Sequence, residues 1–167
     1  TAYEIMPSLV GSEMCIRDRE NPERFFPEVY AAFQDEDVVG GMVNYKVYPE
    51  EERFSDRITH AFWNMVMRLT LKLTGYGIST PGFQMGRKGV FERMGGYDER
   101  LRLTQDVDYS LRLSKLGRIY FFRDHHILES PRRYRDEGYL LYAYRSSLRW
   151  YAILFKRRSY GDYKLVR

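Results

Sequence analysis

Apolar residues recur at three- and four-residue intervals in several stretches of the chain, which is the spacing of one helix face. The first stretch follows Pro22, a good first-turn residue, and predicts a helix over about 22–34. The second begins beside Ser55, which we expect to be its N-cap, and reaches about Thr74, where Gly75 ends it. Its apolar side chains predict a face packed on the core: Ile58, Ala61, Phe62, Met65, Val66, Leu69 and Leu73.

Strands and further helices alternate along the rest of the chain. Thr104 is a suitable N-cap for a helix that reaches Leu116, and Gly117 follows as its stop. A last helix is expected over about 138–155. Runs of β-branched and aromatic residues predict strands at 38–47, about 83–85, 118–122 and 126–128. This alternation predicts the α/β class, with a mainly parallel sheet and flanking helices.

Composition fits one domain, or part of a larger one, with a substantial core. The 167 residues are 44% hydrophobic and 16% aromatic, which excludes a disordered chain. A single cysteine excludes a disulfide framework and a cysteine-rich zinc site. The formal net charge is +4, and the basic excess lies in residues 131–167, which carry ten basic and three acidic residues.

Residues 6–19 differ from the rest because they show no clean helix or strand period. They resemble the translation of a sequencing adaptor at the end of a metagenomic reading frame. We therefore set residues 1–19 apart from the fold as a non-native leader, and expect the natural protein to begin well upstream. Cys15 would then be foreign as well. The alternative is that Glu4 to Ile16 form a weak strand and turn.

Two carboxylates stand in the first turns of the helix that follows the glycine-rich bend at 95–99. One interpretation is that Asp106 and Asp108 only complement the helix dipole. Asp108 also has Arg112 four residues on, within reach of an ion pair along the helix. Asp106 has no such partner in the sequence. A carboxylate at this loop-to-helix junction could reach a bound hydroxyl as a general base.

The motif Gly95-Gly96-Tyr97-Asp98-Glu99, followed by Gln105-Asp106-Val107-Asp108-Tyr109-Ser110-Leu111-Arg112-Leu113 and Gly117, resembles the C-terminal half of the family 2 glycosyltransferases. The resemblance covers about 20–135, the acceptor-side part of the domain. It implies an incomplete GT-A fold, that of the nucleotide-diphospho-sugar transferases, with the N-terminal donor-binding half missing. The family usually has Glu at the position of Gln105. This difference leaves open the alternative that the chain is a non-catalytic, sugar-binding relative of these enzymes.

The resemblance implies an inverting transfer of a sugar from a nucleotide-diphosphate sugar to a hydroxyl acceptor, a glycan, polysaccharide or lipid-linked molecule. Asp106 corresponds to the family's catalytic base. The implied substrate-binding residues are Gly82, Gln84, Gln105, Asp108, Arg132 and Arg133. An arginine fork suits a diphosphate, so Arg132 or Arg133 is a candidate contact, and a simple exposed pair is the alternative. Arg87 and Lys88, beside Gln84, are equally compatible with solvated surface.

No metal site is expected within this chain. The resemblance implies Mg²⁺ or Mn²⁺ in the full-length enzyme, held by an Asp-x-Asp motif of the donor half before residue 20. Asp35 and Asp37 follow a helix on a polar turn, so we interpret them as loop, and neither His125 nor His126 has a ligand cluster at metal spacing. We therefore expect the chain alone to be inactive.

The basic aromatic helix and tail at 136–167 leave several interpretations open. The helix could pack on the domain through Leu140, Leu141, Tyr144, Leu148 and Tyr151, or lie on an anionic membrane near a lipid-linked acceptor. A different functional class is a module that binds nucleic acid through basic and aromatic side chains. The glycosyltransferase interpretation involves no nucleic acid and expects a cytoplasmic protein, placed by the tail at the cytoplasmic face of the membrane.

Overall fold

The computed structural model describes residues 5–7, 22–78, 84–101 and 105–152, which form an α/β fold with a small mixed sheet. The expected α/β class is therefore confirmed. The described elements, in chain order, are β1 (Ile5–Pro7), α1 (Pro22–Ala32), β2 (Val38–Val47), α2 (Phe54–Thr74), β3 (Met85–Arg87), α3 (Lys88–Arg93), α4 (Gln105–Leu113), β4 (Arg118–Glu129), α5 (Arg132–Glu137) and α6 (Tyr139–Tyr151).

The sheet is mixed, so the expectation of a mainly parallel sheet is corrected. β2 and β4 are parallel along most of their length, but β3 runs antiparallel to β2, with Gly86 opposite Gly40. The alternation of helices and strands predicts parallel neighbours because helical crossovers return the chain to the same edge. The direction of β3 could not be predicted, because a strand of three residues carries no sequence signal for its direction.

β1 lies at the edge of the sheet, antiparallel to β3, with Ile5 opposite Arg87 and Pro7 opposite Met85. This strand falls within the segment set apart above as a leader, and it matches the alternative of a weak strand there. An extended segment adds to an open edge through backbone hydrogen bonds alone. The pairing is therefore independent of the origin of residues 1–19.

β4 is a single strand where the sequence predicts two, at 118–122 and 126–128. The register with β2 shifts between Val43, which lies opposite Phe122, and Asn44, which lies opposite His126. The intervening residues form a bulge, and the Asn44 side-chain amide donates to the Arg123 carbonyl oxygen at 2.7 Å. This bulge keeps the two halves of β4 in one ladder.

The core lies between the sheet and the helices that cover it. Phe25 and Val29 of α1, together with Phe33 directly after it, belong to the same buried cluster as the β2 side chains. At Gly40 an added Cβ would lie 2.5 Å from Leu113 Cδ2 and 2.9 Å from the Met85 carbonyl oxygen. Glycine at this position therefore lets α4 pack directly on the sheet.

The long helix α2 presents the opposite face to the core from the one predicted. Ile58, Phe62, Met65, Leu69 and Leu73 of the predicted stripe are each at least half exposed. The buried side chains are instead Asp56, His60, Asn64 and Met67. Within the described ranges, no helix combines the length and apolar character needed to cross a bilayer.

Partners distant in sequence explain why α2 buries its polar face. The Asn64 side chain brackets the Tyr45 backbone, accepting from its N–H at 3.1 Å and donating to its carbonyl oxygen at 2.9 Å. His60 Nε2 lies 2.9 Å from Glu129 Oε1, and the Tyr134 hydroxyl donates to the same oxygen. Buried polar groups need such partners, and these tie α2 to β2, β4 and α5.

The ends of α2 confirm one prediction and correct another. Gly75 adopts φ 72°, and its N–H bonds to the Leu71 carbonyl oxygen, as expected of a glycine stop. The N-cap is Arg53, not Ser55, because the Asp56 carboxylate accepts from the Arg53 N–H at 2.8 Å. The buried Asp56 carboxylate also accepts hydrogen bonds from the Arg135 guanidinium and the Tyr139 hydroxyl.

Two predicted helix boundaries shift in the C-terminal half. α4 ends at Leu113, and residues 114–116 form a turn instead of completing a third helical turn. Its proposed N-cap, Thr104, lies outside the described residues. The helix predicted at 138–155 is confirmed over its described part as α6, and residues 153–155 lie outside the described residues. The short helix α5, which the sequence analysis did not predict, precedes it and is separated from it by Gly138 at φ 82°. Leu140, Tyr144 and Tyr151 of α6 are more than half exposed, so the predicted packing face is wrong at these positions.

Candidate functional site

Helix α4 packs on the sheet at Gly40 of β2 and at Gly86 of β3. A Cβ on Gly86 would overlap the Tyr109 hydroxyl oxygen, and Gly40 approaches Leu113. Gly117, in the turn that follows, packs against Val39 near the start of β2. α4 therefore runs toward the N-terminal ends of β2 and β4. Its first turn, which carries Asp106, lies about 10 Å from Leu113 along the helix axis.

Asp106 lies in this first turn and is partly buried. Its Oδ1 accepts from the Val107 N–H at 2.9 Å, and no described residue forms an ion pair with it. Burial raises the pKa of the Asp106 carboxyl above its ordinary value, against the lowering effect of backbone hydrogen bonds. The sequence alone gave no source for such a rise, because the neighbouring Gln105 is neutral. The fold supplies it by sheltering the carboxyl group.

Asp108, two residues after Asp106, has a different environment. Arg112 Nε donates to Asp108 Oδ2 at 2.7 Å, which confirms the predicted pair four residues apart. The same guanidinium donates to the carbonyl oxygens of Met94, at 3.2 Å, and Gly96, at 2.8 Å. Asp108 therefore supports the arginine that fastens the glycine bend to α4.

The glycine bend places a tyrosine between α4 and β3. Gly95 and Gly96 adopt φ 74° and 71°, the left-handed region that favours glycine. Tyr97 then packs on Tyr109 of α4, with ring centroids 5.1 Å apart. Its hydroxyl donates to Gln84 Oε1 at 2.5 Å. The structure thus links Gln84, a predicted sugar contact, to the helix that carries Asp106.

The apolar spacing of this helix predicts Tyr109 on its buried face, and its 2% exposure confirms this, but no role was predicted for Tyr97. Both rings pack against Phe91, with centroids 5.6 and 5.8 Å away, and they form the wall between the bend and the sheet. The signal available in the sequence was the tyrosine directly after two glycines. Its partner Gln84 lies 13 residues earlier, so no local pattern predicts that contact.

The predicted diphosphate contacts follow the end of β4. Arg132 is exposed, and its Nε donates to Ser130 Oγ at 3.0 Å. The side chain of Arg133 is not among those described, and Gly82 lies in 79–83, outside the described residues. None of the described contacts joins Arg132 to Asp106.

Arg87 has a structural role that was not predicted from the sequence. Its guanidinium donates to the carbonyl oxygens of Val38, Phe33 and Asp35, each at 2.7 Å. It also lies over the Phe33 ring, 5.4 Å from the centroid. The arginine therefore joins β3 to the turn between α1 and β2. Lys88 is exposed, 3.9 Å from Glu92 Oε1, as expected of solvated surface.

The acidic turn and His125 have described partners of their own. Asp35 Oδ1 accepts from the Asp37 N–H at 3.0 Å, and its other oxygen pairs with Arg118, so the loop interpretation is confirmed. His125 Nε2 lies 3.0 Å from Glu28 Oε2. Among the described residues, no three His, Cys, Asp or Glu side chains are grouped as a metal site requires.

Comparison with known proteins found no match: no protein-family model, no curated protein and no solved structure is similar to this chain at the level of significance required.

Proposed function

We propose that this chain is the acceptor-side part of an inverting glycosyltransferase that moves a sugar from a nucleotide-diphosphate sugar to a hydroxyl acceptor. The observation that carries the proposal is Asp106. It is a partly buried carboxylate at the start of α4, its pKa is raised by burial, and no described cation pairs with it. A general base needs this combination of access and increased basicity. The motif resemblance supplies the substrate class.

In the proposed reaction, Asp106 takes the proton of the acceptor hydroxyl as its oxygen attacks the anomeric carbon. The bond to the nucleoside diphosphate breaks on the opposite face, so the configuration inverts. Arg132 and Arg133 are proposed to contact the diphosphate. Asp108 and Arg112 position α4 against the bend, Gln84 and Gln105 are proposed to bind sugar hydroxyls, and Gly82 would allow close approach of the backbone.

The described residues do not fit the expected Mg²⁺ or Mn²⁺, because they provide no cluster of metal-ligating side chains. We therefore assign that ion to the donor-binding half and derive no step from it. The isolated chain should not turn over a sugar nucleotide, because the leaving diphosphate lacks a metal to stabilise its charge. Metal-dependent transfer by the 167-residue chain would contradict this division of roles.

The proposal is tested in a protein extended upstream to include the donor-binding half. Asp106→Asn should lower the rate of sugar transfer by about 10²- to 10⁴-fold, the usual contribution of a general base. The matched control is Asp124→Asn, an exposed aspartate in the β4 bulge, which should keep the wild-type rate. Circular dichroism establishes that both variants fold.

Two outcomes would contradict the proposal. Transfer that survives Asp106→Asn at the wild-type rate removes Asp106 from the reaction. Binding of the sugar nucleotide without any transfer, unchanged in the variant, indicates a non-catalytic relative, which Gln105 leaves open. We place the activity in the cytoplasm and include a lipid-linked molecule among the proposed acceptors.

A further inference from the structure

The outward face of α2 is an apolar stripe, formed by Phe54, Ile58, Phe62, Met65, Leu69 and Leu73. Each of these side chains is at least 51% exposed. They recur at three and four residues, so they form one continuous row along a helix of 21 residues, about 30 Å long. Soluble proteins rarely leave so long a row of large apolar side chains uncovered unless it binds something.

The stripe is fixed in this outward orientation. Its opposite face is held by the pair of hydrogen bonds between Asn64 and Tyr45, by His60 against Glu129, and by the buried Asp56. Rotating α2 to bury the stripe would leave these polar groups without partners, which is costly in a core. The exposed row is therefore a stable feature of the fold.

The charges beside the stripe are basic. At 100° per residue, Arg57, Arg68 and Lys72 fall together along one edge of the row, and all three are exposed. Arg57 pairs with Glu52, whereas no described carboxylate pairs with Arg68 or Lys72. Asp56, the one acidic residue of the helix, is buried on the other face. The exposed surface of α2 thus combines large apolar side chains with positive charge.

We propose that α2 lies on the surface of an anionic lipid bilayer. The stripe would enter the boundary between headgroups and acyl chains, and Arg68 and Lys72 would contact headgroup phosphates. An amphipathic helix with a basic edge binds membranes in this orientation. A second copy of the chain fits less well, because α2 carries no exposed carboxylate that could pair with the basic edge of the copy.

A second exposed apolar face begins beside the first turn of α2. The Tyr139 hydroxyl accepts from Ser55 Oγ at 3.1 Å and donates to Asp56, which fixes the start of α6 there. Leu140, Tyr144 and Tyr151 of α6 are 88%, 62% and 53% exposed. This face adds exposed apolar surface near the same end of α2.

The membrane proposal does not depend on the proposed sugar transfer. It is tested by flotation of the full chain with vesicles made of equal parts phosphatidylcholine and phosphatidylglycerol, and with vesicles of phosphatidylcholine alone. The chain should float with the anionic vesicles, and more weakly with the neutral ones. Binding confined to neutral vesicles, or no binding to either, would overturn the proposal.

Variants identify the surface that binds. Phe62→Ser with Leu69→Ser should weaken binding at least about tenfold, because each change removes apolar surface from the bilayer. Arg68→Gln with Lys72→Gln should weaken binding to anionic vesicles by about fivefold for each cation removed. Leu116→Ser, at a leucine that is 53% exposed outside α2, is the matched control and should bind as the wild type. All of these positions are exposed, so the variants should fold.

Two results would assign the stripe to another occupant. Vesicle binding that survives the Phe62 and Leu69 changes but disappears when Lys156, Arg157 and Arg158 are neutralised would place the contact in the tail. Self-association in sedimentation equilibrium that the stripe variant abolishes, without vesicle binding by the wild type, would mean that a second copy covers the stripe. Either result overturns the proposal.

Discussion

Arg112 joins the two parts of the sequence motif, and its removal is the most informative change to the fold of the site. Its guanidinium bonds to Asp108 of α4 and to the carbonyl oxygens of Met94 and Gly96 in the bend. Arg112→Ala would break all three contacts at once. Of the described contacts between Tyr97 and α4, its packing on Tyr109 would remain.

The magnitude follows from the number and exposure of these bonds. A hydrogen bond with a charged partner contributes about 1.5–3 kcal/mol when it is well shielded. The Arg112 and Asp108 side chains are 30% and 18% exposed, so solvent screens part of this energy. At about 1 kcal/mol for each of three bonds, Arg112→Ala should lower the free energy of unfolding by about 3 kcal/mol. Arg112→Lys keeps one charge but not the fork, and should lose about 1–2 kcal/mol.

Urea unfolding followed by circular dichroism measures these differences. The matched control is Arg100→Ala, because Arg100 pairs with Asp98 on the surface and its side chain is 89% exposed. The control should leave the urea midpoint unchanged. A loss below about 1 kcal/mol for Arg112→Ala would refute the argument that this side chain fastens the bend to α4.

Two further predictions concern the sheet and the buried polar face. Gly40→Ala should cost about 1–3 kcal/mol in urea unfolding, because the new methyl meets Leu113 and a backbone oxygen, whereas Gly89→Ala, with open space around it, should cost nothing. Burial lowers the pKa of His60, but Glu129 and Asp56 together raise it more, so the pKa lies above 6.5. The stability from this pair is therefore complete below pH 6.5 and lost as pH rises through the folded pKa. His60→Gln should remove that step from a series of thermal melts at increasing pH; an identical pH dependence in the variant would contradict it.

Features set by local chemistry were predictable from the sequence. Gly75 ends α2 because a left-handed residue there satisfies a helix carbonyl, and glycine adopts that conformation without strain. The pair between Asp108 and Arg112 follows from helix geometry, which places residues four apart side by side. These contacts require no knowledge of the rest of the fold.

The orientation of α2 could not be predicted in the same way. The spacing of its apolar residues identifies a face, but it does not say whether that face is buried. The outcome depends on Asn64 finding the Tyr45 backbone 19 residues away and on His60 finding Glu129 69 residues away. Polar residues with such partners can be buried, and patterns of hydrophobicity alone give them no weight.

The candidate site also combines features that could be predicted from the sequence with features that could not. The position of Asp106 at the start of a helix could be predicted, and the observed α4 includes it in its first turn. Its shelter could not, because that depends on how α4 packs over Gly40 and Gly86. The antiparallel direction of β3, which brings Gln84 to the hydroxyl of Tyr97, is likewise a property of the assembled sheet.

The central claim is that Asp106 is a sheltered carboxylate prepared to accept a proton. Its titration in the folded chain, followed by carbon-13 NMR of the side-chain carboxyl, tests that claim most directly. The account predicts a midpoint above the ordinary aspartate pKa of 3.8, because burial opposes the charged form. A midpoint at or below that value would show a solvated or ion-paired aspartate, and would contradict the role assigned to it.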